Sequence, residues 1–297
     1  MANNPRKSSD VRLAVLIDSD NVPPHHVRGM MEEIARYGTP TIKRIYGDFT
    51  RPNLAQWKAQ LLDYAISPIQ QFSYTTGRNA TDSAMIIDAM DILYADKVDG
   101  FVLVSSDSDF TKLATRLREA GKIVYGLGEM KTPNAFIAAC DRFIYLEIIG
   151  QDDDESDNEA KDDKSATRTP LRSTRLTRST TPGDSIGTKA ASKTQDAAKG
   201  KREQRVKERG IRKIDRDLIK LIDSSIRDVE DEDGWAFLAE VGNMIVKKQP
   251  SFDSRNYGYD KLTALVQSIG RYDIQMRDTG NPNVKLVYLR VKKNQKS

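Results

Sequence analysis

Between Val11 and Glu147 the chain alternates two kinds of segment, and this alternation constrains the fold more than anything else in the sequence. Short apolar, β-rich runs (VRLAVLID, TIKRIYGDF, SPIQQFSY, FVLVSS, KIVYGLG and FIYLEI) are separated by stretches of helical spacing at 24–37, 53–65, 80–95, 110–120 and 133–141. A strand that is apolar on both sides must be covered on both sides. Strands joined through helices run parallel, so the expected architecture is an open α/β sandwich of five or six strands.

The rest of the chain reads differently. Residues 151–205 show no sustained apolar period, and such a segment cannot bury enough apolar surface to offset its conformational entropy. The expectation is a disordered, charged linker. Its first part, QDDDESDNEAKDD at 151–163, holds 8 acidic residues against 1 basic, and residues 164–213 hold 15 basic against 4 acidic. The net charge of +4 therefore hides a strongly polarised middle that could hold a polyanion or serve only as a solvated tether. Helical spacing returns in IDRDLIKLIDSSIRDV, FLAEVGNMIVKK and YDKLTALVQSIG. Two strand-like runs, RYDIQMRD and VKLVYLRV, follow, joined by TGNPN. Three helices and a hairpin predict a small winged-helix domain. Its expected core is Trp235, Phe237, Leu238, Phe252, Leu262 and Leu265.

Composition narrows the chemistry. One cysteine, Cys140, excludes a disulfide framework and a cysteine-built zinc site, and two histidines make a histidine-rich metal site a poor fit. A metal here would need oxygen ligands, which points to Mg²⁺ or Mn²⁺. No run of 18 apolar residues and no signal peptide is visible, so a cytoplasmic address without a membrane span is expected.

The first apolar run ends in Asp18-Ser19-Asp20-Asn21 and the fourth in Ser105-Ser106-Asp107-Ser108-Asp109. In an open parallel sheet, ligands bind beyond the carboxyl ends of the strands, near the switch in strand order. If strands one and four are neighbours, the two acidic tips meet. A third acid, Asp82, falls in the first turn of the helix that Asn79 or Thr81 would cap, at the same end of the sheet; Asp88 and Asp91 project elsewhere. A single Asp after a strand is often only a helix cap, but Asp18, Asp107 and Asp109 at matching tips make caps alone a poor explanation. Gathered carboxylates repel, and a hard divalent cation relieves that repulsion. One or two such ions activate water and stabilise the leaving oxygen in phosphodiester cleavage. Asn21, Ser105 and Ser106 would orient ligands or phosphate, with Arg78, Lys112 and Arg116 as candidate contacts to a nucleic-acid backbone.

Together, LIDSDN, GRNATDSAMIIDAMDIL, FVLVSSDSDF and GKIVYGLG resemble the NYN domains of the bacterial LabA-like group, relatives of PIN-domain nucleases. The resemblance implies a PIN-like fold over 11–148 and metal-dependent cleavage of RNA by Asp18, Asp82, Asp107 and Asp109. DGWAFLAEVGNMIVKKQPSFDSRNYGYDKLTALVQSIGRYDIQ resembles a LOTUS (OST-HTH) domain, placed at 208–293 with the linker at 149–207. That implies a winged helix that binds RNA and in some members a protein partner. Arg255, Tyr257, Tyr259 and Lys261, with Arg271 and Arg277, could form its RNA surface.

These readings converge on a Mg²⁺- or Mn²⁺-dependent ribonuclease with an RNA-binding tail. One alternative keeps the fold and makes the protein a catalytically weak or silent RNA-binding or adaptor protein. A second takes Leu16-Ile17-Asp18-Ser19-Asp20-Asn21-Val22 as the nucleophile motif of a haloacid dehalogenase-like phosphatase, for which the later strands offer only Glu129. Target RNA, endo- or exonucleolytic action and oligomeric state are not legible.

Overall fold

The computed structural model describes residues 11–54, 56–72, 80–149, 211–278 and 285–292. The expected linker, Arg78, Asn79 and the TGNPN turn lie outside the described residues, apart from Ile149.

Among the described residues the N-terminal half contains six strands: β1 (Arg12–Asp18), β2 (Thr39–Gly47), β3 (Ser67–Gln70), β4 (Gly100–Val104), β5 (Ile123–Gly128) and β6 (Arg142–Tyr145). All pair in parallel, in the order β3-β2-β1-β4-β5-β6. Helices α1 (Val27–Ala35), α2 (Trp57–Asp63), α3 (Ala80–Ala95), α4 (Thr111–Glu119) and α5 (Asn134–Ala139) make the crossovers. β1 is buried from Leu13 through Asp18 and β4 is buried throughout, as the unbroken apolar runs require. The chain steps outward from β1 to β3, then returns through α3 to β4 on the far side of β1. Right-handed crossovers therefore put α1 and α2 on one face and α3, α4 and α5 on the other. The Ile17–Val104 register sets the ends of β1 and β4 side by side at the switch point.

Two glycines near these strand ends are needed for close approach. A Cβ on Gly47, the last residue of β2, would lie 2.0 Å from Ser19 Oγ. A Cβ on Gly128, at the end of β5, would lie 2.5 Å from the carbonyl oxygen of Ser105. At Gly128 the backbone itself leaves no room for a side chain, and at Gly47 the Ser19 side chain would have to move.

The C-terminal domain has α6 (Arg216–Arg227), β7 (Ala236–Phe237), α7 (Leu238–Lys248), α8 (Leu262–Ile269), β8 (Tyr272–Asp278) and β9 (Lys285–Val291). Asp215 caps α6 by accepting a bond from Leu218 N at 2.8 Å, and left-handed Gly270 ends α8. The three helices and the hairpin are as expected. The two-residue strand β7 is an addition that completes an antiparallel sheet, β7-β9-β8. Leu218, Ile222, Ile226, Val241, Ile245, Phe252, Leu265, Val266 and Leu289 form the core. Trp235 and Phe237, expected in that core, are instead half-buried on the sheet's outer side. The register explains this: Ala236 pairs with buried Leu289, so Phe237 and its partner Tyr288 must point the other way.

The two domains belong to one compact unit. β6 is an edge strand, and its Phe143 N–H donates to the carbonyl of Pro250 at 2.9 Å. The Arg255 guanidinium forks onto both oxygens of buried Glu33 in α1, at 2.9 Å each, and also binds Asp253. Arg142 of β6 reaches Asp253 at 3.3 Å while its guanidinium lies over the Tyr37 ring. Arg212 donates to Tyr145 Oη at 3.0 Å.

Candidate active site

Asp18 ends β1 and is 1% exposed. Its Oδ2 accepts from Asn21 Nδ2 at 2.6 Å and from Ser105 Oγ at 2.8 Å, and its Oδ1 accepts from Asp20 N at 3.1 Å. Burial pushes its pKa up, and the three hydrogen bonds pull it back by favouring the charged form. Asn21 and Ser105 are thus brought to the site, but as clamps on Asp18. Ser105 Oγ also accepts from Asp107 N at 3.1 Å, linking the two strand tips through one hydroxyl. Ser106 turns away: its Oγ accepts from Glu129 N at 2.9 Å and ties the β4 tip to that of β5.

Asp107 follows the β4 tip and accepts from Asp109 N at 2.9 Å, so it caps the 3-10 turn Ser108–Phe110 that leads into α4. The cap explanation for a lone Asp is therefore correct for this bond of Asp107 and for the bond from Asp20 N to Asp18 Oδ1, and it does not account for the gathering of Asp82, Asp107 and Asp109. Asp82 sits in the first turn of α3. One carboxylate oxygen from each of Asp82, Asp107 and Asp109 lies within 4.8 Å of the others. Asp18 is not a member of this trio among the described residues, and its charge is the first that Asp82 feels. The crowding is felt by Asp82, whose pKa is pushed up to about 6, first by partial burial and then by the charges of Asp18, Asp107, Asp109 and Asp20. Asp20 is exposed and contributes through charge. A trio of carboxylate oxygens backed by a fourth anion suits a hard divalent cation, which would reverse the cost that burial and like charge impose on Asp82.

Lys112 and Arg116 are exposed on α4, which begins two residues after Asp109. Asp88 lies outside the trio, bonded to Arg44 and to Tyr46 Oη. In the C-terminal domain, Arg255 is committed to Glu33 and Asp253, and the Tyr257 ring packs 6.1 Å from Phe252. Tyr259 is half-buried and Lys261 exposed. The four do not form one outward basic and aromatic patch. Of the residues expected on an RNA surface, Arg277 lies on the outer side of the small sheet, beside Trp235, Tyr288 and Arg290, which the motif does not group with it. There Arg277 lies 3.9 Å from the Tyr288 ring centroid and 5.6 Å from that of Trp235, and Arg290 lies 4.6 Å from Trp235. Alternation along RYDIQMRD and VKLVYLRV carried that signal, since it separates Arg277, Tyr288 and Arg290 from the core positions.

Among the described residues no helix is long and apolar enough to cross a membrane. No curated protein matches the chain. The crystal structure of a protein of unknown function from Vibrio parahaemolyticus is 19% identical over 47% of this chain and 95% of its own, with a TM-score of 0.41. An uncharacterised protein from Nitrosomonas europaea, solved by NMR, is 26% identical over 40% of this chain and 93% of its own, with a TM-score of 0.25. An NMR structure of residues 175–257 of a Chromobacterium violaceum protein is 31% identical over 25% of this chain and 78% of its own, with a TM-score of 0.21. These likenesses carry no argument about function. Two family models match, one the parallel-sheet half and the other the winged-helix tail. The chain carries an NYN domain at residues 12–147 and an OST-HTH/LOTUS domain at residues 210–284.

Proposed function

We propose that the protein is a Mg²⁺- or Mn²⁺-dependent ribonuclease that hydrolyses RNA phosphodiester bonds at the acidic tips of its parallel sheet, with the C-terminal domain holding the RNA. The observation that carries this reading is the approach of Asp82, Asp107 and Asp109 to within 4.8 Å at the switch point of the sheet. NYN domains belong to the PIN-like nuclease superfamily, and an OST-HTH/LOTUS domain beside one fits an RNA substrate.

Asp82, Asp107 and Asp109 would hold the ion, with Asp18 completing the charge of the pocket. A bound divalent ion supplies water activation and offsets the negative charge that builds on the phosphate. The chain's own residues do the rest. Ser105 and Asn21 hold the Asp18 carboxylate in one orientation from two directions. The Asp107–Asp109 turn keeps two carboxylates on one short rigid segment. Lys112 and Arg116, exposed on the following helix, are suited to the phosphates on either side of the cut. An aspartyl-phosphate mechanism fits poorly, because Asp18 is buried and both its oxygens already accept hydrogen bonds.

Cleavage of labelled single-stranded and structured RNA with Mn²⁺, Mg²⁺ or EDTA tests the proposal, alongside Asp82→Asn and Asp107→Asn, with binding measured in parallel. Metal-dependent cutting that both substitutions abolish while binding survives is expected. Binding without cutting under any metal would make the protein an RNA-binding adaptor. Cutting unchanged in both variants would place the activity elsewhere.

A further inference from the structure

At the junction of the two domains lies a groove of about 680 Å³, large enough for a nucleotide and its flanking phosphates. The NYN domain contributes Arg36 and Arg142, while Lys285 and an apolar wall including Phe237 come from the C-terminal domain. The groove is built to persist, because its floor is the network that joins the domains. Arg255 links Glu33 to Asp253, and Arg142 reaches Asp253 from the other side. Arg36, Arg142 and Arg255 are paired with those two carboxylates, and with Lys285 the groove and its floor hold four basic residues against Glu33, Asp253 and Asp260.

The apolar wall does not stop at the groove. The Phe237 ring lies 5.6 Å from Tyr288, and the Tyr288 ring carries the Arg277 guanidinium at 3.9 Å. Register places Phe237, Tyr288 and Gln275 in one row on the outer side of the sheet, with Ala236, Leu289 and Ile274 on the core side. A basic rim therefore runs continuously into a row of aromatic and guanidinium faces. Rim cations suit phosphates, and planar faces accept unpaired bases, which is the combination that single-stranded nucleic acid requires. A duplex hides the faces of its bases and could use only the rim. Asp231, 4.0 Å from Arg277, bounds the row at its far end with the acidic loop 230–233.

We infer that this junction groove and the outer sheet row behind it form a binding track for single-stranded RNA, made by both domains together. The inference rests on the ribonuclease reading for its choice of RNA but not on the acidic cluster, so the two can fail separately.

The test is fluorescence anisotropy of a labelled single-stranded RNA on the full chain in EDTA, where no cutting occurs, with the same sequence as a duplex for comparison. Tyr288→Ala and Lys285→Glu should each weaken single-strand binding about tenfold. Tyr288→Phe, which keeps the ring, should retain the affinity, and so should Lys220→Glu, an equal charge change on α6 outside the groove. Thermal melts would show that each variant folds. The inference is overturned if wild type does not bind, if the duplex binds equally well, or if Lys220→Glu costs as much as Lys285→Glu. It is also overturned if Tyr288→Ala binds normally. Groove variants that lose binding in a protein that never cuts would leave the track standing and remove the nuclease.

Discussion

Asp82→Asn should stabilise the metal-free protein, although it removes a residue assigned to the active site. The Asp82 pKa is raised from 3.8 to about 6, so above that pH the folded state holds a carboxylate that the unfolded chain tolerates more easily. At 1.36 kcal/mol per unit this corresponds to about 3 kcal/mol. Screening of a side chain that is only partly buried reduces it to about 1 kcal/mol. The sign follows from proton counts. Between the unfolded and folded pKa values the native state binds more protons, so stability falls as pH rises through that window, and the full cost is present at pH 7.5. In EDTA at pH 7.5, Asp82→Asn should raise Tm by about 2–4 °C, and the gain should fade towards pH 4. Added Mn²⁺ should reverse the order, stabilising wild type more than the variant, because the same crowded charge becomes a ligand. Differential scanning calorimetry in the two buffers reads both effects. A variant less stable than wild type in EDTA at pH 7.5 would refute the reasoning, since Asp82 would then be held by favourable contacts.

Three further substitutions test the supports around the site and the domain junction. Ser105→Ala removes a donor to Asp18 Oδ2 and the acceptor of Asp107 N, and should lower kcat about 10- to 100-fold with RNA affinity in EDTA unchanged. The acid limb of its pH–rate profile should move to higher pH, because Asp18 loses a bond that favours its charged form. Gly47→Ala drives a Cβ to 2.0 Å from Ser19 Oγ and should cost about 1–3 kcal/mol in urea unfolding. Arg255→Met leaves Glu33 and Asp253 without their shared cation and should destabilise the protein by about 3 kcal/mol. Adding Glu33→Gln and Asp253→Asn to it should recover most of that loss in the same urea titration, because neither buried carboxylate then carries a charge that has lost Arg255.

The sheet and the place of its acidic residues were legible for the same reason. Unbroken apolar runs such as LAVLI and FVLV, separated by segments of helical spacing, fit central parallel strands, and a polar residue ending such a strand falls at the carboxyl edge. Asp18 and Asp107 were readable as soon as β1 and β4 were taken as neighbours, and the β1–β4 pairing makes them so. Asp82 was readable from helix-start chemistry alone. The partners of the polar clamps were not. Nothing local in Ser105 distinguishes a hydroxyl for phosphate from one that fixes Asp18, because the choice depends on a residue 87 positions away. Trp235 and Phe237 misled for a related reason: composition marks large apolar residues as core, and only the pairing of Ala236 with Leu289 reveals which side they occupy.

Arg255 shows where a local reading of the tail stops. Beside Tyr257, Tyr259 and Lys261 it looks like part of a basic, aromatic ligand surface, and its true partner, Glu33, is 222 positions earlier. The sheet topology supplies the missing cause. With α1 and α2 on one face of the sheet and α3, α4 and α5 on the other, the first face of β5 and β6 receives only part of its cover from its own domain among the described residues, through Tyr37 at the end of α1, whose ring lies 4.9 Å from that of Tyr125. A parallel sheet cannot leave that surface in water without penalty, and the C-terminal domain supplies the cover through Pro250, Asp253 and Arg255. A residue type that elsewhere would contact a ligand is therefore used to close the fold. The ligand-facing role passes to positions that the closure leaves outward, namely the junction rim and the Phe237–Tyr288–Arg277 row.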